Sequence, residues 1–216
     1  MKNLIPVHQS KQKIKQNYDN LSRYYDWLTR SEKQIIKVGI DLISPYAGES
    51  ILDIGSGTGT ALRLMAESFS PPINFTGLDI SWQMLSKSKL KTDENLLFIN
   101  HIQGDGTMLP FKDNLFDHLF CSFTLDLLPS NEIHQALDEM RRVIKPSGHF
   151  VFISMTSSPR TLAVRLYETA HKCFPKIIDC RPIPLYDLLI DNGFNVLKTI
   201  KQNNYGLPIW TVLAQA

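Results

Sequence analysis

Ile51-Leu-Asp-Ile-Gly-Ser-Gly-Thr-Gly59 is the stretch on which the fold turns. Ser50 to Ile54 is a short apolar run that reads as a buried strand ending at Gly55. Ala61 to Phe69 follows with a helical pattern and is stopped before Pro71-Pro72. Strand, glycine loop and helix in that order open an α/β unit. Glycines at such a junction let the backbone turn tightly and approach a ligand, while the helix start offers unpaired N–H groups. A dinucleotide-binding loop spaces its small residues Gly-x-Gly-x-x-Gly, which would put the third at Thr60. The chain instead has Gly55, Gly57 and Gly59, with Asp53 two residues ahead of the first. A carboxylate beside the loop repels a pyrophosphate and attracts a ligand that carries an ammonium group.

Outward from the loop, short β-rich runs keep alternating with helical patterns, which is the mark of a mostly parallel sheet. Asn74 to Asp79 reads as the second strand, and Ser81 to Leu90 as a helix capped by Ser81. Leu97 to Ile102 and Leu115 to Ser122 read as the third and fourth strands. Between Ser130 and Ile144, Ile133, Leu137, Met140 and Ile144 recur at helical spacing and form one face for the sheet. Lys145-Pro-Ser-Gly148 then turns the chain into a fifth strand, His149 to Met155. Thr161 to Phe174 reads as an inserted helix, the proline-rich Cys180-Arg-Pro-Ile-Pro184 follows, and Leu185 to Asp191 is another helix. Phe194 to Ile200 and Leu207 to Ala214 are the last two strands, joined by a short connection around Asn203-Asn204. So short a connection cannot make a crossover, so this pair must be antiparallel.

Three carboxylates then stand at the C-terminal ends of three successive strands: Asp53, Asp79 and Asp105. Open α/β sheets bind ligands in the crevice at that edge. Asp79 suits the two hydroxyls of a ribose. Asp105, in Gly104-Asp-Gly-Thr-Met-Leu-Pro-Phe111, suits an adenine amine, with Met108 or Leu109 against the ring. One such acid alone reads equally well as a turn or cap residue, and the ordered set argues for a site.

These segments resemble the class I S-adenosylmethionine-dependent methyltransferases, in particular the methyltransferase type 11 group with the ubiquinone/menaquinone biosynthesis C-methyltransferases and related lipid methyltransferases. The resemblance rests on Ile51 to Gly59, Gly77-Leu-Asp-Ile-Ser-Trp-Gln-Met-Leu85, Gly104 to Phe111, Phe116-Asp117 and Met140-Arg-Arg-Val-Ile-Lys-Pro-Ser-Gly148. It implies a Rossmann-like, seven-stranded, mostly parallel sheet with an antiparallel last strand, helices on both faces and an N-terminal helical lid. It implies S-adenosyl-L-methionine as cofactor. The loop with Asp53, Gly55, Ser56, Gly57 and Gly59 would hold the methionyl end. Asp79, with Ile80 and Met84 beside it, would take the ribose. Gly104, Asp105, Gly106 and Met108 would take the adenine, and Cys121, Ser122 and Phe123 would line the methyl-donor side.

The acceptor side is less explicit. Lys11 to Thr29 reads as a lid helix carrying Tyr18, Tyr24, Tyr25 and Trp27, with Ile14, Tyr18, Leu21, Tyr25 and Leu28 on one face. Simple docking of that face on the domain competes with a functional reading, in which Tyr18 and Tyr25 close over the cofactor and the aromatic cluster suits a cationic amine. Tyr18-Asp19 and Tyr25-Asp26 follow a Tyr-Asp pattern that relatives share. Asp126 falls where many relatives carry histidine; if the acceptor is a phenol or an activated ring carbon, Asp126 is the candidate base, and Tyr25 of the lid is the other residue assigned to catalysis. A cap or loop role for Asp126 reads equally well. Arg160, Arg165, His171, Lys172 and Arg181, with Leu162, Leu166 and Phe174, give the inserted region amphipathic character suited to a lipophilic or anionic acceptor.

Composition bounds the remaining choices. The 216 residues, 43% hydrophobic and 20% charged, suit one globular domain and exclude a disordered chain. The expected organisation is an N-terminal extension over residues 1–40 and a cofactor domain over 41–216, with the cap helix inserted at about 156–182. No apolar run is long enough to span a bilayer. Met1 to Ser10 lacks the features of a secretory signal. Three scattered cysteines fit neither a disulfide scaffold nor a zinc site, and the six histidines show no paired ligand spacing. The expected setting is a reducing cytoplasm, and no metal is expected. Residues 1–40 carry eight Lys or Arg against three acids, 41–155 eight against fourteen, and 156–216 seven against four. Basic flanks around an acidic middle read as ordinary solvated surface or as contact with an anionic membrane surface, and a net charge of only +2 falls short of the basic excess a nucleic-acid binder usually shows.

The reading is therefore a methyltransferase acting on a small, lipophilic acceptor. Quinol-ring C-methylation comes first and phospholipid-headgroup N-methylation second; a nicotinamide-dependent Rossmann oxidoreductase is the alternative from another class.

Overall fold

Period-two burial along the strands and period-3.6 burial along the helices give each element one or two faces to cover, and the chain covers them in three layers. The computed structural model describes residues 10–22, 25–28, 30–69, 72–92, 99–159, 161–173 and 180–216. The N-terminal part holds α1 (Lys11–Leu21), α2 (Tyr25–Leu28), a 3₁₀ turn (Arg30–Glu32) and α3 (Lys33–Ile40). Then come β1 (Ser50–Ile54), α4 (Thr60–Ser68), β2 (Asn74–Asp79), α5 (Trp82–Thr92), β3 (Ile99–Gln103) and β4 (Phe116–Ser122). A second 3₁₀ turn (Leu125–Leu127) leads to α6 (Ser130–Val143), β5 (Ile144–Met155), α7 (Leu162–Cys173) and α8 (Leu185–Asp191). A final hairpin, β6 (Asn195–Asn204) and β7 (Leu207–Gln215), follows.

The seven strands lie in the order β3-β2-β1-β4-β5-β7-β6. β1 pairs in parallel with both β2 and β4, so the chain order reverses between β1 and β4, where an open α/β sheet has its binding crevice. β7 runs antiparallel between β5 and β6, as the short final connection requires. Burial alternates along β5: Phe150 and Phe152 face the core under α6 and α8, while Val151 and Ile153 face the one under α3 and α4. Each of these fully buried side chains contributes about 1.5–3 kcal/mol. On α6, Ile133, Ala136, Leu137, Met140 and Val143 are all fully buried on one stripe.

Several elements differ from the sequence reading. The single N-terminal helix is two, because α1 ends with Ser22 as its C-cap and α2 starts at Tyr25. Tyr24, Thr29, Arg160 and Phe174, the side chains of Trp27 and Leu28, and the start of the third strand at Leu97 lie outside the described residues. β5 begins at Ile144, and Lys145–Gly148 is absorbed as an irregularity where pairing jumps from Phe116↔Ile144 to His118↔His149. The hairpin turns at Tyr205-Gly206, with φ of 51° and 85°, and Asn203-Asn204 belongs to the strand, since a two-residue loop needs both residues left-handed to match the strand twist. The basic face expected around α7 is narrower than the sequence implies. Arg165 and Lys172 are exposed, whereas His171 and Arg181 turn inward and are buried. α3, within the N-terminal forty residues, gives Ile35, Ile36 and Ile40 to the core.

Candidate active site

A crevice of about 840 Å³, counting its open mouth, lies across the C-terminal ends of β1 to β4. Eleven of the predicted site residues line it. Gly55 and Gly57 come from the loop after β1, Asp79 and Ile80 from the end of β2, and Gly104, Asp105 and Gly106 from the turn after β3. Ser122 and Phe123 come from β4 and its exit, and Tyr18 and Tyr25 from the N-terminal segment. The other predicted residues lie elsewhere. Asp53, Ser56, Met84, Cys121 and Asp126 are buried behind the lining. Gly59 caps the start of α4, where an added Cβ would collide with Ser88 Oγ and lie 3.1 Å from the Ser88 α-carbon, and Met108 is 73% exposed. Leu109, its alternative, is buried.

The loop is fixed from below. Gly55 and Ser56 N–H both donate to the Leu78 carbonyl, at 2.8 and 3.0 Å, and Gly57 N–H donates to Asp79 Oδ2 at 2.8 Å. The other Asp79 oxygen accepts from Ser81 N–H at 2.8 Å. Gly55 has φ of 71°, and a Cβ there would collide with Thr124, whose hydroxyl donates to the Ile54 and Ser122 carbonyls. Gly57 is left-handed too, but the space beyond it is open as far as Tyr25 Cε1 at 3.8 Å. The two glycines therefore answer to different constraints: one to packing, one to access.

The electrostatics follow from burial. Asp53 is 1% exposed, and neither carboxyl oxygen has a hydrogen-bond partner among the described residues. Desolvation, with the charge of Asp79 behind it, pushes its pKa up to about 8. Burial pushes Asp79 up to about 6 against the pull of its backbone donors, and Asp19 adds to the rise. Asp105 behaves oppositely. Burial works to raise it, but Lys11 at 2.7 Å on Oδ2 and the Thr107 backbone and hydroxyl on Oδ1 outweigh that and hold it low. Arg142 pins the loop that carries it, donating to Asp113, to the Leu109 and Phe111 carbonyls and to Glu139, which in turn accepts from Leu109 N–H.

The fourth wall is the exit of β4. Phe123 is a non-glycine residue at φ of 51°, a conformation that costs about 1–2 kcal/mol, held by its N–H donating to the Ile153 carbonyl at 2.8 Å. Behind it Asp126, 0% exposed, sits on the 3₁₀ turn, and its carbonyl accepts from Arg181 N–H. Burial, with the charge of Asp126 added, pushes Glu32 up to about 8.

Residues 52–152 match a family model described as a methyltransferase domain. The chain is 28% identical over 204 residues to the demethylmenaquinone methyltransferase of Staphylococcus carnosus, covering 94% of this chain and 78% of that one. It is 34% identical over 154 residues to the demethylmenaquinone methyltransferase of Listeria monocytogenes, covering 71% of this chain and 63% of that one. A crystal structure of an S-adenosylmethionine-dependent methyltransferase from Aquifex aeolicus superposes with a TM-score of 0.69 at 20% identity, over 91% of this chain and 97% of that one. Together these likenesses support a class I S-adenosylmethionine-dependent methyltransferase.

The residues of this methyltransferase fit its cofactor. S-adenosylmethionine carries an ammonium and a sulfonium at one end and a ribose diol and an adenine amine at the other. The crevice opposes to these an open glycine cradle and the acceptors Asp79 and Asp105, with the orphaned carboxyl oxygens of Asp53 buried directly behind the lining. Sequence reasoning missed part of the lining: Lys11, Ile14, Thr124, Leu127, Leu128, Ala136 and Met140. The last two belong to the apolar stripe of α6, and nothing in a stripe says which of its members lies under a cavity. Lys11 carries no motif at all. No group of His, Cys, Asp and Glu among the described residues is arranged to hold a metal ion.

Proposed function

We propose that this methyltransferase methylates a ring carbon of a lipophilic hydroxylated acceptor, a reduced quinone of the demethylmenaquinone kind. The observation that carries the reading is the extent of the likeness to a demethylmenaquinone methyltransferase. It takes in 94% of the chain, far more than the 52–152 core shared by the wider family. The apolar lining from Ile14, Leu127, Leu128, Ala136 and Met140 supports it, since a prenylated ring needs such a wall. An acceptor of this kind resides in a membrane, and the basic flanks suit contact with an anionic surface.

In this reading the glycine loop holds the methionyl end, Asp79 accepts from the ribose and Asp105 from the adenine amine. Ser122 and Phe123 border the methyl. The cofactor supplies an electrophilic methyl group on sulfur. The protein's work is alignment and exclusion of water, to which the roof of Tyr18 and Tyr25 contributes. As the ring carbon gains its methyl, it gives up one proton, and Tyr25 at the cavity and Asp126 behind it are the groups assigned to receive it.

The test is an incubation with S-adenosylmethionine and, in separate vesicles, reduced demethylmenaquinone or phosphatidylethanolamine, with products read by mass spectrometry. A ring-methylated quinone is expected. Methylated phosphatidylethanolamine with untouched quinone would replace this acceptor with a headgroup amine. Asp126→Asn is expected to lower kcat by about 10²-fold or more with KM for the cofactor little changed; an unchanged kcat removes Asp126 from the chemistry.

A further inference from the structure

No side chain of α1 is fully buried, and its apolar face, Ile14, Tyr18 and Leu21, is only half-buried, so apolar burial gives it a partial hold over the crevice. An isolated helix of its length is marginal in water. A set of polar contacts adds to that hold, and two of them share a pattern. Asp19 Oδ1 accepts from the Ser81 hydroxyl at 2.5 Å, and Ser81 N–H donates to Asp79. Asp26 Oδ1 accepts from the Thr58 hydroxyl at 2.6 Å and from Lys91 Nζ at 2.5 Å. Thr58 belongs to the glycine loop after β1, and Ser81 follows the neighbouring β2, so the two acids grip two adjacent loops on one side of the crevice. Each follows a tyrosine that lines the cavity, and the Tyr18 and Tyr25 ring centroids are 5.9 Å apart. Consecutive helical residues point about 100° apart, so a Tyr-Asp pair can aim its ring into the crevice and its carboxylate at the rim.

We propose that Asp19 and Asp26 are positioning residues that pin the tyrosine roof to the neighbouring β1 and β2 exits of the crevice and so set how long the cofactor stays bound. The inference rests on the assignment of this crevice to S-adenosylmethionine. Lys11 on Asp105 and Glu132, and Lys87 on the Ser22 carbonyl, add two further pins to the same cover. All of these contacts are partly exposed ion pairs or hydrogen bonds, each individually weak, so the cover can open for exchange.

The experiment measures dissociation of S-adenosylhomocysteine from the full chain by stopped-flow tyrosine fluorescence, alongside thermal melting of the ligand-free protein. Asp19→Ala and Asp26→Ala are each expected to speed dissociation by about tenfold, with association changed much less. Their melting temperatures should stay within a few degrees of the parent. Thr58→Val removes the partner of Asp26 and keeps its charge. It should reproduce part of the Asp26→Ala effect and add nothing to it in the double variant. Should an alanine variant fold poorly, Thr58→Val and Lys91→Met carry the same comparison. Dissociation unchanged in all of them, with the parent binding normally, overturns the pinning. A parent chain that binds no S-adenosylhomocysteine overturns the cofactor assignment itself, a result that reads differently in the same titration.

Discussion

Asp53 and Asp79 place two buried acids within electrostatic reach of each other, and both have pKa values above the 3.8 of an ordinary aspartate. A carboxyl whose pKa rises on folding favours the folded state only while protonated. Its penalty is absent below pH 4 and grows as pH climbs through about 6 for Asp79 and about 8 for Asp53. The ligand-free protein should therefore melt lower at pH 9 than at pH 5, and Asp53→Asn should flatten that fall. At this chain length each kcal/mol is worth about 2–4 °C. A cation brought to these carboxyls reverses the shift, so cofactor binding near pH 7 should release up to about one proton per site. Calorimetry in two buffers of different ionisation enthalpy measures it; equal heats in both would mean that neither acid faces the bound cation. The acids themselves were legible in the chain, from their places at three strand ends. The ion pairing of Asp105 with Lys11 was not, because it joins residues 94 positions apart and leaves no local pattern.

At the scale of elements, the glycine loop separates two demands that look alike on paper. Gly57→Ala adds a methyl that clashes with nothing and reaches van der Waals contact with Tyr25 across the crevice, at a left-handed φ of 53° that costs an L residue about 1–2 kcal/mol. The variant should melt a few degrees lower and lose tenfold or more in S-adenosylmethionine affinity. Gly55→Ala drives its Cβ into Thr124 and should damage the fold itself, read as a much larger loss of melting temperature. Isothermal titration and melting curves on the two variants separate these effects, and equal affinity losses with equal melting losses would contradict the distinction. The elements were mostly legible: β1, β2 and α8 have the boundaries their apolar runs announce. The apolar stripe keeps helical spacing from Ile14 to Leu28 through a break that spacing does not register, so the sequence shows one lid helix where the fold has two. Asn203-Asn204 favours a turn as strongly as Tyr205-Gly206 does, and only strand pairing decides between them.

Over the whole molecule, the N-terminal segment and the sheet carry different duties. The core clusters draw on residues from Ile35 onward, whereas no side chain of α1 is fully buried. Removing residues 1–30 should leave a cooperative melting transition near that of the full chain, while turnover falls to background and cofactor affinity drops. A truncated protein that no longer melts cooperatively would show that the segment belongs to the fold. Retained turnover would remove the roof from the function.

The sequence alone determined the alternation of strands and helices, the antiparallel last pair and the three acids at one edge, because these rest on periodicity, on chain connectivity and on residues a few positions apart. Only the tertiary structure decided which residues meet across the crevice. Lys11 found Asp105, Asp26 found Thr58 and Lys91, and Asp126 was withdrawn behind the lining. Such pairings depend on how separate elements pack, and a side chain's direction relative to a distant strand is fixed only once the sheet has closed.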